Sequence, residues 1–528
     1  MSIRKFFQSP KPERKIPFDK IITYTLVIIV SLIASAILIM TDGKIEAAVA
    51  FIAMLAIVFI SFYRIDWAFF IFFGLVLLFD QFIVLPDGSD PITHSVGYFE
   101  NIKGISYLPH FDAGVMNPLE IQLFLMIIGW FIAVSSNRAT NVQRVPLWAL
   151  AFTLIIAVFL SLVHGLALGG DFLTSLWEVR AFFYFLILYF FVPQVIQTKK
   201  QIDVLLWIMI IVISIKALQG FITFVHLGFS LGGEDTSLTN HEDPIFIVEL
   251  WILLISLSVL HVKGKHRTAL LLLLLPMLGG FYAGNRRAAY AVFIGGFIIF
   301  FLMLQSKEKW RFARALVPIL FVMGCYTAVF WNHPGRLGAP VQAIKSGIFP
   351  TSKADAGDRY TSNLYREIER YDLAATVQSF PVIGTGFGTK YLQPIPLVKI
   401  AGWPLQPWIA HDEILWLFAD MGAVGFFIFF LFFDSLLFEA ARIQRSLSDP
   451  FLRAVTIMIA AAIVGQIIVS YYDLQLTYYR NMVFLGTLCG LLPAIKAINK
   501  SQELNKKQME ELRIAKADDV LTFTDIEL

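Results

Sequence analysis

Long apolar stretches separated by short polar segments run almost the whole length of the chain. They fall at about 21–40, 45–62, 67–85, 119–135, 145–164, 177–195, 202–226, 244–261, 268–283, 288–304, 314–331, 413–438, 451–472 and 480–495. Most reach the roughly 20 residues that a helix needs to cross a hydrocarbon layer about 30 Å thick. The pattern predicts an all-α polytopic membrane protein with about 14 transmembrane helices. The polar connections alternate in character. One set holds the basic N-terminal segment, NRATNVQR, QTKKQ, VKGKHR, QSKEKWRFAR, ARIQR and the charged tail. The other holds TDGK, HGLALGGDFLTS, AGNRR and two long segments, 86–118 and 332–410. Short Lys- and Arg-rich loops stay in the cytoplasm, so both termini of this plasma (inner) membrane protein are expected there.

That alternation divides the chain into a cytoplasmic N-terminal segment (1–20), helices 1–11 (21–331), a large external loop (332–410), helices 12–14 (411–496) and a cytoplasmic tail (497–528). The first apolar run has no small-residue cleavage site behind it and reads as a retained anchor. The long external loop carries a helical pattern, TSNLYREIERYDLAATVQSF, and loops of such length in a compact bundle are usually functional.

Composition sharpens the class. Of 528 residues, 57% are hydrophobic and 15% charged, against about 25% charged in soluble domains. A net charge of +3, with basic residues spread over loops, gives no footprint for nucleic acid. Cys325 and Cys489 both lie in apolar runs, where a disulfide framework or thiolate site is not expected.

Ionisable groups at the edges of apolar runs are costly and draw attention to the external side. Arg180, Lys216, Arg286 and Arg287 supply fixed positive charge there and suit an anionic lipid phosphate or diphosphate. The segment AGWPLQPWIAHDEILWLFADMG sets His411, Asp412 and Glu413 at a helix start behind Trp403 and Trp408. A histidine there can cap the helix or sit at the interface; it can also take a proton from an acceptor hydroxyl, with Asp412 or Glu413 to orient it. Tryptophan faces suit sugar rings as well as the interface. The glycines of PVIGTGFG follow no strand and read as a tight packing turn rather than a nucleotide cradle. No spaced set of ligands completes HDE, so neither metal nor other cofactor is expected.

In order along the chain, WEVRAFFYF, AGNRRAAY, DRYTSNLYREIERY, PVIGTGFG and HDEILWLFADMG resemble the O-antigen ligase and O-antigen polymerase superfamily of bacterial membrane glycosyltransferases. The resemblance covers about 177–438. Asn285 stands where the family usually has serine, Arg287 where it has a small residue, Asp412 for asparagine and Asp420 for glutamate. The resemblance implies glycan transfer from an undecaprenyl-diphosphate carrier to an acceptor hydroxyl at the outer face of the inner membrane. The acceptor is a glycan or a lipid. Membrane lipids and envelope-assembly proteins, such as a chain-length regulator, are the implied partners. Arg180 and Arg286 would hold the diphosphate, Arg359, Arg366 or Arg370 would close over it, and His411 would be the general base. A repeat-unit polymerase is preferred to an O-antigen ligase, on the aromatic external surface available for a second glycan. The alternative class is a transporter or flippase for an anionic lipid-linked glycan, which the helix count fits equally well.

Overall fold

The computed structural model describes residues 18–41, 43–82, 92–105, 115–136, 142–229, 237–333, 337–349, 360–400, 403 and 405–524. Its helices are α1 (Phe18–Met40), α2 (Ile45–Tyr63), α3 (Ile65–Leu78), α4 (Ile92–Ser95), α5 (Pro118–Ser135), α6 (Trp148–Ala167), α7 (Phe172–Val195), α8 (Lys199–His226) and α9 (Asp243–Val259). They continue as α10 (Lys265–Leu272), α11 (Leu274–Gly284), α12 (Arg287–Met303), α13 (Ser306–Phe330), α14 (Ala339–Ile348), α15 (Tyr360–Ser379), α16 (Glu413–Ser446), α17 (Pro450–Tyr472) and α18 (Tyr479–Thr524). No strand occurs among the described residues.

By length and apolarity, 8 described helices can cross a membrane: α5, α6, α7, α8, α13, α16, α17 and α18. Taking α10 and α11 as one span bent by 55° makes 9. α3, α12 and the described apolar parts of α1 and α2 are shorter. The apolar runs of the sequence fall on helices, with differences in extent. The run at 67–85 leaves the helix after Leu78, and the run opening at 413 continues to Ser446. The run at 268–283 breaks at Leu273, because Pro276 has no N–H to offer the carbonyl of Leu272.

Small residues set the closest approaches. α18 lies along α7, and a Cβ at Gly486 or Gly490 would come within 2.7 Å of the Phe185 carbonyl oxygen or of Val192 Cβ. Without a hydrophobic drive between helices in lipid, such close backbone contact is what holds a pair together.

α16 breaks at Gly422, whose φ of 61° and ψ of −175° are not helical. That break frees backbone groups, and each one left unpaired away from water would cost several kcal/mol. The turn before the long loop's end satisfies them. The N–H groups of Ala423 and Val424 donate to the carbonyls of Pro381 and Val382 at 2.9 and 3.2 Å, and the N–H groups of Thr385 and Gly386 donate to the carbonyls of Ala419 and Asp420, both at 2.9 Å. Gly386 has φ +79°, and a Cβ there would overlap the backbone of Gly165 on α6. The glycine-rich turn thus splices the loop into the bundle, fixing α15 on its upstream side and His411 on its downstream side.

Candidate functional site

His411 ends the approach to α16, and its setting comes from α15. Its backbone N–H donates to Glu369 Oε2 at 2.9 Å, and its Nδ1 lies 3.2 Å from both carboxylate oxygens of the fully buried Glu369. A carboxylate only accepts, so Nδ1 of the ring carries the proton. In the neutral ring Nε2 then holds the lone pair, and it has no hydrogen-bond partner among the described residues. Trp403 meets the ring edge-on at 5.0 Å between centroids and Tyr365 at 5.8 Å, leaving the side chain 18% exposed.

The two acids after His411 do other work. Asp412 caps α16 by accepting from the Leu415 N–H at 3.1 Å and pairs with Arg370 Nε at 2.9 Å. Burial raises its carboxyl above the usual range, against the Leu415 N–H and Arg370. The Arg370 guanidinium lies over the Tyr471 ring at 4.4 Å. Glu413, fully buried, accepts from the N–H groups of Gln475, Leu476 and Thr477 and from the Thr477 hydroxyl at 2.8 Å. It therefore ties α16 to the turn between α17 and α18, and neither acid bonds the His411 ring.

Beside His411 stands a second set. Asn285, in the left-handed region at φ 47°, turns the chain from α11 into α12 and makes Arg286 the cap residue. Arg286 Nη2 donates to His241 Nε2, and His241 Nδ1 lies 3.1 Å from Asp473 Oδ2. Burial pushes the Asp473 carboxyl up, but His241, Arg286 and Arg366 outweigh it and hold the group well below the usual range. Burial and then Arg286 lower His241 below its ordinary value, with Asp473 opposing and His411 adding to the lowering. Arg286 thus acts on both His241 and Asp473, His411 acts on His241, and Arg366 acts on Asp473. Arg287 is the first residue of α12, and consecutive residues do not face one spot.

Other sequence candidates are placed differently. Lys216 is buried on Asp80, 2.7 Å from each carboxylate oxygen. Arg180 is buried against the segment before α5, bonded to Asn101 Oδ1 at 2.8 Å and the Val115 carbonyl, with Glu120 at 3.1 Å. Trp408 carries Lys390 over its ring at 4.8 Å. Arg359 lies outside the described residues. Among the described residues no group of three or more His, Cys, Asp or Glu can hold a metal ion. Glu369 and His241 escape the sequence reading. Glu369 sits in a polar helix of alternating charges, and His241 in a polar loop; the one signal available for His241 is its place directly before the acidic start of α9.

Fold and site define a multi-pass helical membrane protein with a histidine and arginine cluster at one end of its bundle. Residues 272–430 match the O-antigen ligase family, and this supports placing the chain in the O-antigen ligase and polymerase superfamily. The matched stretch contains Arg286, Arg366, Glu369 and His411 but not His241 or Asp473. The family suggests a glycosyltransferase-like function in O-antigen assembly. No curated protein matches the chain.

Proposed function

We propose that the protein transfers a glycan from an undecaprenyl-diphosphate carrier to an acceptor hydroxyl at the outer face of the inner membrane. The carrying observation is His411, its Nδ1 tied to Glu369 and its charge felt by His241, the residue to which Arg286 donates. Nε2 takes the acceptor's proton as the oxygen bonds to the anomeric carbon, and the bond from that carbon to the diphosphate oxygen breaks. The carrier diphosphate leaves with the electron pair. Arg286 and Arg366 stabilise the charge that develops on it. Arg370, set on Asp412 and Tyr471, lines the acceptor side, where Trp403 and the exposed pair Tyr471 and Tyr472 offer faces for sugars.

Because arginines neutralise the leaving group, the reaction in this account runs without a divalent metal. The aromatic rim favours a repeat-unit polymerase over a ligase, since a polymerase holds a second glycan as acceptor. Purified protein given one lipid-linked repeat unit, in excess chelator and with no other acceptor, is expected to build a ladder of longer lipid-linked chains. Extension only after a separate lipid acceptor is added assigns a ligase instead, and activity restored by a divalent ion refutes the arginine account.

The same reading has about 14 crossings, with the chain termini in the cytoplasm. In a chain stripped of Cys325 and Cys489, single cysteines at the exposed Ser306 and Ser379 are expected to label from opposite sides of the membrane. Labelling of both from one side contradicts this topology.

A further inference from the structure

Arg286 serves a leaving diphosphate only while its long side chain is held in place, and its holder is a histidine. An arginine has donors and no lone pair. Its contact with His241 Nε2 therefore exists only while that nitrogen is unprotonated, which leaves the ring's proton on Nδ1, facing Asp473 at 3.1 Å. The Nε of Arg286 is buried without a hydrogen-bond partner among the described residues, so the His241 contact is the anchor that the structure gives this guanidinium.

We propose that Asp473 and His241 form a positioning relay that holds Arg286 at the diphosphate of the lipid-linked donor, and that protonation of His241 releases Arg286 and weakens donor binding. The inference rests on the donor assignment above and deepens it. A second proton on His241 would set an N–H against a guanidinium and put two like charges together. Charged and titratable groups approach His241 from each surrounding element: Arg286 from the start of α12, Asp473 and Tyr478 from the turn between α17 and α18, and His411 from the start of α16. Arg366 of α15 acts on Asp473, and Glu242 follows His241 in the chain. The cations oppose a further proton and Asp473 favours it; burial adds to the opposition, and the ring's value is lowered. The relay is therefore intact at neutral pH and is lost as pH falls through that lowered value.

The test uses full-length protein in lipid nanodiscs titrated with undecaprenyl diphosphate, at about pH 7.5 and at a falling series of pH values carried well below imidazole's ordinary pKa of about 6.5, because the His241 value is lowered. Arg286→Ala and His241→Leu are each expected to weaken binding at the higher pH by about tenfold or more, the usual effect of losing a hydrogen bond to a charged group. His241→Gln keeps an oxygen to accept from Arg286 and an amide to donate to Asp473, so it is expected to bind like wild type. Its binding should also change less on acidification, since the amide does not titrate. A merely structural role for His241 predicts no such rescue and no change in pH response. Failure of wild type to bind overturns the donor reading and the relay with it. Loss of binding in Arg286→Ala but not in His241→Leu overturns the relay alone. So does a His241→Gln variant that binds as weakly as His241→Leu, or one whose acid response matches wild type.

Discussion

Replacing His411 by alanine is expected to lower the turnover of glycan transfer by about 10²- to 10⁴-fold, the usual worth of a positioned general base. The side chain is small, part-exposed and outside the helix, so the protein should still insert and elute as wild type. The Michaelis constant for the lipid donor should change little, because the lost group acts on the acceptor. Glu369→Gln sharpens the point. Glutamine presents an amide donor as readily as an acceptor toward Nδ1, so the ring is free to carry its proton on Nε2 and lose its basic face. A fall in turnover for Glu369→Gln approaching that of His411→Ala, at unchanged expression, supports the pair as a unit. Near-normal turnover in His411→Ala removes the residue from the chemistry.

Arg286→Ala is expected to cost about 10²- to 10³-fold in turnover, the scale seen when one preorganised donor to a developing anion is removed. The residue sits at the cap of α12, where alanine breaks no helical bond, so the loss falls on the reaction rather than on the fold. Lysine at this position should recover part of the activity, because it returns the charge but replaces a planar fork with a point ammonium. The ratio of turnover to Michaelis constant, measured with lipid-linked donor for wild type, alanine and lysine, checks this. Full activity in the lysine variant would show that charge alone suffices, and full activity in the alanine variant would take Arg286 out of the site.

The helices were legible in the sequence because apolar length is nearly all that a membrane helix requires. Their breaks were less so. Pro276 marks one visibly, but Gly422 breaks α16 only because the turn at 381–386 is there to pair the freed backbone groups, a contact between distant segments. At the site, Arg286 and His411 stood out by their position at helix starts. Their partners did not. Glu369 lies 42 residues from His411, and His241 lies 45 residues from Arg286. The nearer acids, Asp412 and Glu413, looked suited to orient His411 and instead cap α16 and tie down the α17–α18 turn. Lys216 and Arg180 read as candidates for a diphosphate, and their acidic neighbours were hidden for the same reason. Asp80 and Glu120, which take them, come from other helices and loops, and no local pattern announces that pairing.

The proposed transfer requires that this protein make and break glycosidic bonds rather than move a lipid-linked glycan across the bilayer. The direct measurement places the lipid-linked repeat unit in proteoliposomes and follows two products at once, free undecaprenyl diphosphate and donor that has changed leaflet. Release of undecaprenyl diphosphate in step with growth of the glycan is expected, abolished by His411→Ala. Intact donor appearing in the opposite leaflet, with no undecaprenyl diphosphate released and no glycan lengthened, would contradict it.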